Sequence, residues 1–162
     1  MYKKIMVPLD GSELAECVLP HVEAIANGCG VGEVVLVRVV EPVTLIYGAT
    51  TDGGSVFTEE DAERLRKKTD ASNQTAAKDY LNQVAGKVKL GKVKVQKKLL
   101  SGKAAESLAD YATNNDVDLV VIATHGRSGI SRWVMGSVAD RVLRSSCVPV
   151  LMVRVPGCIP GI

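Results

Sequence analysis

The stretch VDLVVIATHGRSGISRWVMGSVADRVL, from Val117 to Leu143, carries the strongest fold signal in the chain. It begins with the β-branched apolar run Val117 to Ala123, passes through a segment with three glycines, and ends in a helical pattern from Ser137. A short apolar strand that leads through a glycine-containing loop into a helix is typical of a buried parallel sheet with crossover helices.

The rest of the chain repeats this alternation. Four further strands are predicted at Lys3 to Leu9, Glu33 to Val40, Lys92 to Leu100 and Val148 to Val155. Helices are predicted at Glu13 to Asn27 (Leu14, Cys17, Val18, Val22 and Ile25 inward), Glu59 to Val84, Ala104 to Asn114, and Ser137 to Ser145 (Val138, Val142 and Leu143 inward). Each connection carries a helix, so we predict an α/β fold: a five-stranded parallel sheet with right-handed crossovers and helices on both faces.

Length and composition indicate one domain with an aliphatic core. The chain has 162 residues, 46% of them hydrophobic but only 4% aromatic. We expect a single domain over residues 1–155 and a flexible tail over 156–162, which has proline and glycine at close spacing. The irregular segment Pro42 to Thr58 is long enough to predict a functional or mobile loop.

The net charge and the cysteine content limit the classes of binding partner and the cellular compartment that we expect. A formal net charge of +2 implies neither a nucleic-acid nor an anionic membrane partner. There is no apolar run of the roughly 20 residues that a membrane span needs, and no signal-peptide pattern. The four cysteines form no CxxC pair and are predicted to be reduced thiols, so we expect a cytoplasmic protein.

Candidate binding residues follow the first and fourth strands, because open parallel sheets bind ligands beyond the carboxyl ends of strands where the strand order reverses. The first strand is followed by Pro8-Leu9-Asp10-Gly11-Ser12 and the fourth by Thr124-His125-Gly126. Gly136 and Ser137 open a helix, where free N–H groups and the helix dipole favour an anion. The alternative is that the glycines only permit tight turns and that Ser137 is an ordinary N-cap.

The spacing of these residues favours the phosphate interpretation. Ala123-x-x-Gly126, nine residues, then Gly136-Ser137 closely resembles the nucleotide loop of the universal stress protein family, which reads Gly-x-x-Gly, nine residues, Gly-Ser or Gly-Thr in ATP-binding members. The resemblance covers nearly the whole chain and includes KKIMVPLDGSELA, THGRSG, GSVADRVL and CVPVLMVR. Ala123 replaces the first glycine: its methyl group is tolerable at negative φ but could crowd the ribose or α-phosphate.

The resemblance implies a Rossmann-like fold of the adenine nucleotide alpha hydrolase type, with strand order 3-2-1-4-5 and ATP (or AMP or ADP) as ligand. It implies that Pro8 and Asp10 flank the nucleoside, with Asp10 on a ribose hydroxyl, and that the Val39 backbone meets the adenine edge. Ile122 and Ala123 would line the floor. It further implies that the phosphates contact Gly126, Gly136, Ser137 and Val138. Magnesium would be held chiefly by the phosphates.

Several residues near this loop have competing interpretations. Asp10 is either a ribose ligand or a turn residue ahead of Ser12, itself a plausible N-cap. Ser12, His125, Arg127 and Gly129 are further candidates for nucleotide contact. His125 and Gly129 are alternatively turn residues, and Arg127 and Arg132 either reach a γ-phosphate or are solvated. Trp133 is expected at the edge of the core rather than on a base.

Two motifs are rejected as decoys. Gly86 to Lys92 matches a P-loop up to its lysine, but Val93 stands where a magnesium-binding Ser or Thr is needed and a strand follows. The lysines between Lys87 and Lys98 lack interleaved aromatic residues and are explained as a solvated strand face, with Gly86 and Gly91 as turn residues.

Three functions remain possible from the sequence: an ATP-binding regulatory protein of the stress response, a nucleotide-independent interaction module, and an enzyme with slow ATP hydrolysis or self-phosphorylation. The resemblance favours the first, and no positioned base predicts fast chemistry. A homodimer through Val148 to Val155 is also expected, because this marginal strand is apolar up to Arg154 and lacks the charges that protect an exposed edge.

Overall fold

A computed structural model describes residues 2–43, 59–124 and 137–154 of the chain. Within these ranges the strands and helices alternate along the sequence. In chain order they are β1 (Lys4–Pro8), a 3₁₀ segment (Glu13–Val18), α1 (Leu19–Cys29), β2 (Glu33–Val40), α2 (Glu59–Lys87), β3 (Lys94–Ser101), α3 (Ala104–Asn114), β4 (Leu119–Thr124), α4 (Ser137–Ser145) and β5 (Val150–Arg154). Most of the predicted loop 42–58 and the tail 156–162 lie outside the described residues.

The sheet has the predicted topology. Its five strands are all parallel, in the order β3-β2-β1-β4-β5. β1 therefore lies between β2 and β4, and the chain winds outward in opposite directions on its two sides. The predicted α/β fold and strand order are confirmed, and the reversal of strand order falls between β1 and β4.

The core has two halves because successive strand residues point to opposite faces. Ile5 and Val7 of β1 pack on the face covered by α1 and α2, whereas Met6 packs on the face covered by α3 and α4. All three side chains are fully buried. β1 is thus covered on both faces as well as on both edges, as its uninterrupted apolar sequence predicts.

The helix predicted over Glu13 to Asn27 is divided in two. Its first part is a 3₁₀ segment, and the α-helix begins only at Leu19. Pro20 has no N–H to donate to Glu16, and its ring would clash with that carbonyl in a continuous helix. The 3₁₀ period of three turns Ala15 and Val18 inward.

Some side-chain and boundary predictions are therefore wrong. Leu14, predicted to face inward, is 51% exposed, because Ala15 rather than Leu14 lies on the buried face of the 3₁₀ segment. Val138 and Leu143 of α4, also predicted to face inward, are 36% and 42% exposed, because the sheet-facing side of this short helix is formed by Ala139 and Val142. Gly86 was predicted in a turn but lies within α2, whereas Gly91 adopts the positive φ of 57° that a turn glycine permits.

None of the helices in the described ranges is both long enough and apolar enough to span a membrane.

Asp118 fixes the start of β1 against the start of β4. Its carboxylate accepts hydrogen bonds from the backbone N–H groups of Lys3 (2.7 Å) and Lys4 (2.8 Å), and its own N–H donates to the Lys4 carbonyl (2.9 Å). The two backbone hydrogen bonds, from Lys4 and then Lys3, lower the pKa of Asp118 below its ordinary value.

We predict that Asp118→Ala lowers the free energy of unfolding by about 1–2 kcal/mol at neutral pH, since two N–H groups lose a charged acceptor. A carboxyl group with a lowered folded-state pKa stabilises the protein above its unfolded pKa, and this contribution disappears as the pH falls through the folded-state pKa. Urea denaturation at pH 7 and pH 3 should show the difference between parent and variant shrinking in acid. Asp110→Ala, at an exposed position of α3, is the control and should change stability little.

Candidate functional site

A cleft opens at the carboxyl edge of the sheet, where the strand order reverses. Its volume is about 1040 Å³, and it is lined by the ends of β1, β2 and β4 together with parts of α2, α3 and α4. The N-terminus of α4 reaches this edge through Val138 and Ala139. This is the position at which open parallel sheets bind ligands.

The turn after β1 presents Asp10 at the mouth of the cleft. Oδ1 of Asp10 accepts hydrogen bonds from the backbone N–H (2.9 Å) and the hydroxyl (2.6 Å) of Ser12. The Ser12 hydroxyl oxygen in turn accepts from the N–H of Ala15 (3.2 Å) and caps the 3₁₀ segment. The turn-forming role weighed for Asp10 is therefore present, and the same carboxylate is exposed on a wall of the cleft.

Arg38 also lines the cleft, although it was not among the predicted site residues. It is half-buried on β2, and its Nη1 donates to the Leu9 carbonyl at 3.4 Å. Gly11, with φ of 86°, lies directly against the guanidinium, so a Cβ there would stand 3.2 Å from Cζ of Arg38. The signal in the sequence was a single charged residue within the apolar run VVLVRVV, Val34 to Val40.

Tyr80 extends the cleft wall from α2 and was likewise not predicted. Burial, followed by the nearby negative charges of Glu16 and Asp10, raises the pKa of Tyr80 to about 12, while Arg38 opposes this rise. The hydroxyl is buried, and no group in the described ranges meets it at good hydrogen-bond geometry, although Glu16 lies close to it. The weakly patterned, mostly polar sequence of α2 contained no signal for this placement.

Ala123, which replaces a glycine of the nucleotide loop, causes no backbone strain. It belongs to β4, and the single non-glycine residue with positive φ in the described ranges is Asp116. The Ala123 side chain is buried in the core while the residue also borders the cleft. The backbone at residue 123 therefore tolerates the methyl group of alanine.

Six of the predicted site residues line this one cleft. They are Pro8, Asp10, Val39, Ile122, Ala123 and Val138. Ser12 is not a lining residue but bonds to Asp10, and Ser137 is the first residue of α4. The remaining predicted positions lie outside the described residues: His125, Gly126, Arg127, Gly129 and Gly136, together with Arg132 and Trp133.

Among residues 2–43, 59–124 and 137–154, no three His, Cys, Asp or Glu side chains lie together in a way that could hold a metal ion.

Comparison with known proteins agrees with this architecture. The model of the universal stress protein family matches residues 1–154. This chain belongs to the universal stress protein family. A curated family member, MJ0531 of Methanocaldococcus jannaschii, is 29% identical over 161 residues, covering 96% of this chain and 84% of that protein.

Solved structures of relatives share the fold of this chain. The structure of protein MJ0577 has a TM-score of 0.74 at 26% identity, covering 95% of this chain and 96% of that one. A universal stress protein in complex with cAMP has a TM-score of 0.66 at 19% identity, covering 95% and 98% of the two chains. A family protein of Arabidopsis thaliana with AMP bound has a TM-score of 0.57 at 16% identity, covering 96% and 93%.

We predict that Tyr80→Phe leaves stability at neutral pH unchanged or slightly higher, because it removes a buried hydroxyl that lacks a well-aligned partner. Because burial raises the pKa of Tyr80 from about 10 to about 12, ionising the phenol costs more in the folded than in the unfolded protein, and the parent loses stability as the pH rises from about 10 toward 12. Denaturation between pH 9 and 12 should therefore show a steeper loss for the parent than for the variant. Equal losses in both proteins would contradict the raised pKa.

Proposed function

We propose that this universal stress protein binds ATP in the cleft at the carboxyl edge of the sheet and acts as a regulatory protein of the stress response. The observation that carries this proposal is that six residues predicted from the sequence line one cleft: Pro8, Asp10, Val39, Ile122, Ala123 and Val138. These residues are far apart in sequence, and the reversal of strand order brings them together.

The nucleoside would lie over the ends of β1, β2 and β4. The Asp10 carboxylate accepts a hydrogen bond from a ribose hydroxyl, and the backbone of Val39 meets the adenine edge. Ile122 and Ala123 provide an apolar floor on which the base and ribose lose little solvation. The exposed position of Asp10 at the cleft supports this assignment.

The phosphates would lie toward the N-terminus of α4. Backbone N–H groups of Ser137 and Val138 would donate to phosphate oxygens, while Gly126 and Gly136 allow the loop to approach them closely. His125, Arg127 and Gly129 complete the loop, with Arg127 as a charged donor to the γ-phosphate. Magnesium would be held mainly by the phosphates.

The relatives support an adenine nucleotide as the ligand class, since one family structure contains cAMP and another contains AMP. ATP is proposed here because the loop spacing matches the ATP-binding pattern of the family. A regulatory protein of this kind should bind ATP through this loop, whereas an interaction module should bind no nucleotide. We further propose a cytoplasmic location, with no nucleic-acid partner and at most slow ATP hydrolysis.

We predict that ATP binds with micromolar affinity, about −8 kcal/mol at a Kd of 1 µM, and that Gly126→Val combined with Gly136→Val abolishes binding. The branched side chains would occupy the space that phosphate oxygens need. Isothermal titration with Mg-ATP, ADP and AMP measures both affinity and preference.

The matched control is Gly28→Val combined with Gly86→Val. A Cβ at either of these helical glycines has nothing within 4 Å, so the control adds the same atoms without filling the cleft. Binding that survives in the loop variant would exclude the proposed phosphate site. Absence of binding in the parent would favour the interaction module.

We also propose a homodimer through β5, the strand at one margin of the sheet. Leu151 of this strand is 37% exposed, whereas the opposite margin, β3, presents the exposed lysines Lys94, Lys97 and Lys98. Charged residues protect an edge strand from pairing, and apolar ones do not. Pairing of β5 with its copy about a two-fold axis is self-complementary and therefore closed.

We predict that Leu151→Lys gives a monomer, because a charge would have to be desolvated at the centre of the interface. Leu65→Lys, at a position of α2 that is 45% exposed, is the matched control and should remain dimeric. Light scattering at high micromolar concentration measures both. A monomeric parent protein would exclude this dimer.

A further inference from the structure

Arg38 lies where the turn after β1 meets the end of β2. Its guanidinium is packed on Gly11, with Cζ and Nη2 each 3.2 Å from the position that a Cβ would take, and Nη1 lies 3.4 Å from the Leu9 carbonyl. The hydrogen bond is long, and the guanidinium occupies the space that a side chain at residue 11 would need. The positive φ of Gly11 and its missing side chain both suit this contact.

The turn is attached to β2 on both sides of Leu9. The Leu9 N–H donates to the Val37 carbonyl at 2.8 Å, and the Leu9 carbonyl faces Arg38. The next residue along the chain is Asp10, whose Oδ1 is bonded to Ser12. Arg38 is thus packed against the residues on either side of Asp10, namely Leu9 and Gly11.

Arg38 and two carboxylates all lie near the phenol of Tyr80. Burial and the charges of Glu16 and Asp10 raise the pKa of Tyr80, and the charge of Arg38 lowers it. Lys87 lies 2.9 Å from the Glu16 carboxylate and neutralises part of its charge. A guanidinium in this position stabilises a turn that brings a carboxylate toward other acidic groups.

We propose that Arg38 is a positioning residue that holds the Leu9–Gly11 turn so that Asp10 is presented to the ribose of the bound nucleotide. This inference rests on the proposed nucleotide site and assigns a role to a residue outside the predicted set. A turn that contains glycine has many conformations when it is not held, and restricting it before binding lowers the entropy cost of recognition.

The test compares Arg38→Met, Arg38→Lys and the control Arg64→Met, an exposed arginine of α2. Titrations use ATP, 2′-deoxyATP and 3′-deoxyATP. We expect Arg38→Met to bind ATP about tenfold more weakly than the parent. The parent should bind ATP more tightly than the deoxynucleotide that lacks the hydroxyl contacted by Asp10, and Arg38→Met should lose this preference. Arg38→Lys should behave like Arg38→Met, because lysine restores the charge but not the planar surface on Gly11. Arg64→Met should behave like the parent.

A double-mutant cycle with Asp10→Ala separates positioning from direct contact. If Arg38 acts through Asp10, Arg38→Met costs little further affinity in the Asp10→Ala background. Additive losses, or full recovery of affinity in Arg38→Lys, would instead indicate that Arg38 acts as a charge on the phosphates and would overturn the proposal.

Amide hydrogen exchange in the ligand-free protein distinguishes failure of this proposal from failure of the nucleotide site. Faster exchange at the Ser12 amide in Arg38→Met but not in Arg64→Met shows that Arg38 holds the turn, even if the parent binds no ATP. Unchanged exchange at Ser12 in Arg38→Met contradicts the positioning role whether or not ATP binds.

Discussion

The position of β1 between two parallel neighbours is the constraint on which the rest of the structure depends. Its backbone is paired with β2 on one side and β4 on the other, and its side chains alternate between two buried faces. A slip by one residue would exchange Met6 with Ile5 or Val7 and reverse both halves of the core. The Asp118 carboxylate, which binds the N–H groups of Lys3 and Lys4, holds this register at the amino edge of the sheet.

The same constraint produces the cleft. Because the chain winds away from β1 in opposite directions, the 3₁₀ segment after β1 and α4 after β4 lie on opposite faces of the sheet, and a groove is left at its carboxyl edge. Asp10 illustrates how structure and function share residues there. Its Oδ1 accepts two hydrogen bonds from Ser12, whose hydroxyl caps the 3₁₀ segment, yet the Asp10 side chain is exposed to the groove. A turn-forming role and a ligand-binding role are therefore compatible in this carboxylate.

The topology and most of the cleft could be predicted from the sequence because both follow from strong local patterns. β2, α3 and α4 have the predicted bounds, and the residues that follow the strands are the ones that line the cleft. Pro20 is a local signal for the division of the first helix. The apolar residues on both sides of it recur at helical spacing, however, and this period favoured one continuous helix. A charge within an apolar strand singled out Arg38 without showing what it contacts, and Tyr80 had no signal at all. Their proximity depends on how α2 lies across the end of β2, which is a tertiary contact with no local pattern.

The charges along the cleft are unevenly distributed. Asp10, after β1, and Glu41, after β2, line it with carboxylates. Val138 and Ala139 bring the amino terminus of α4 to the same cleft. An elongated molecule with an anionic head and an uncharged tail would have one favourable orientation in this field, and its reversal would bring like charges together.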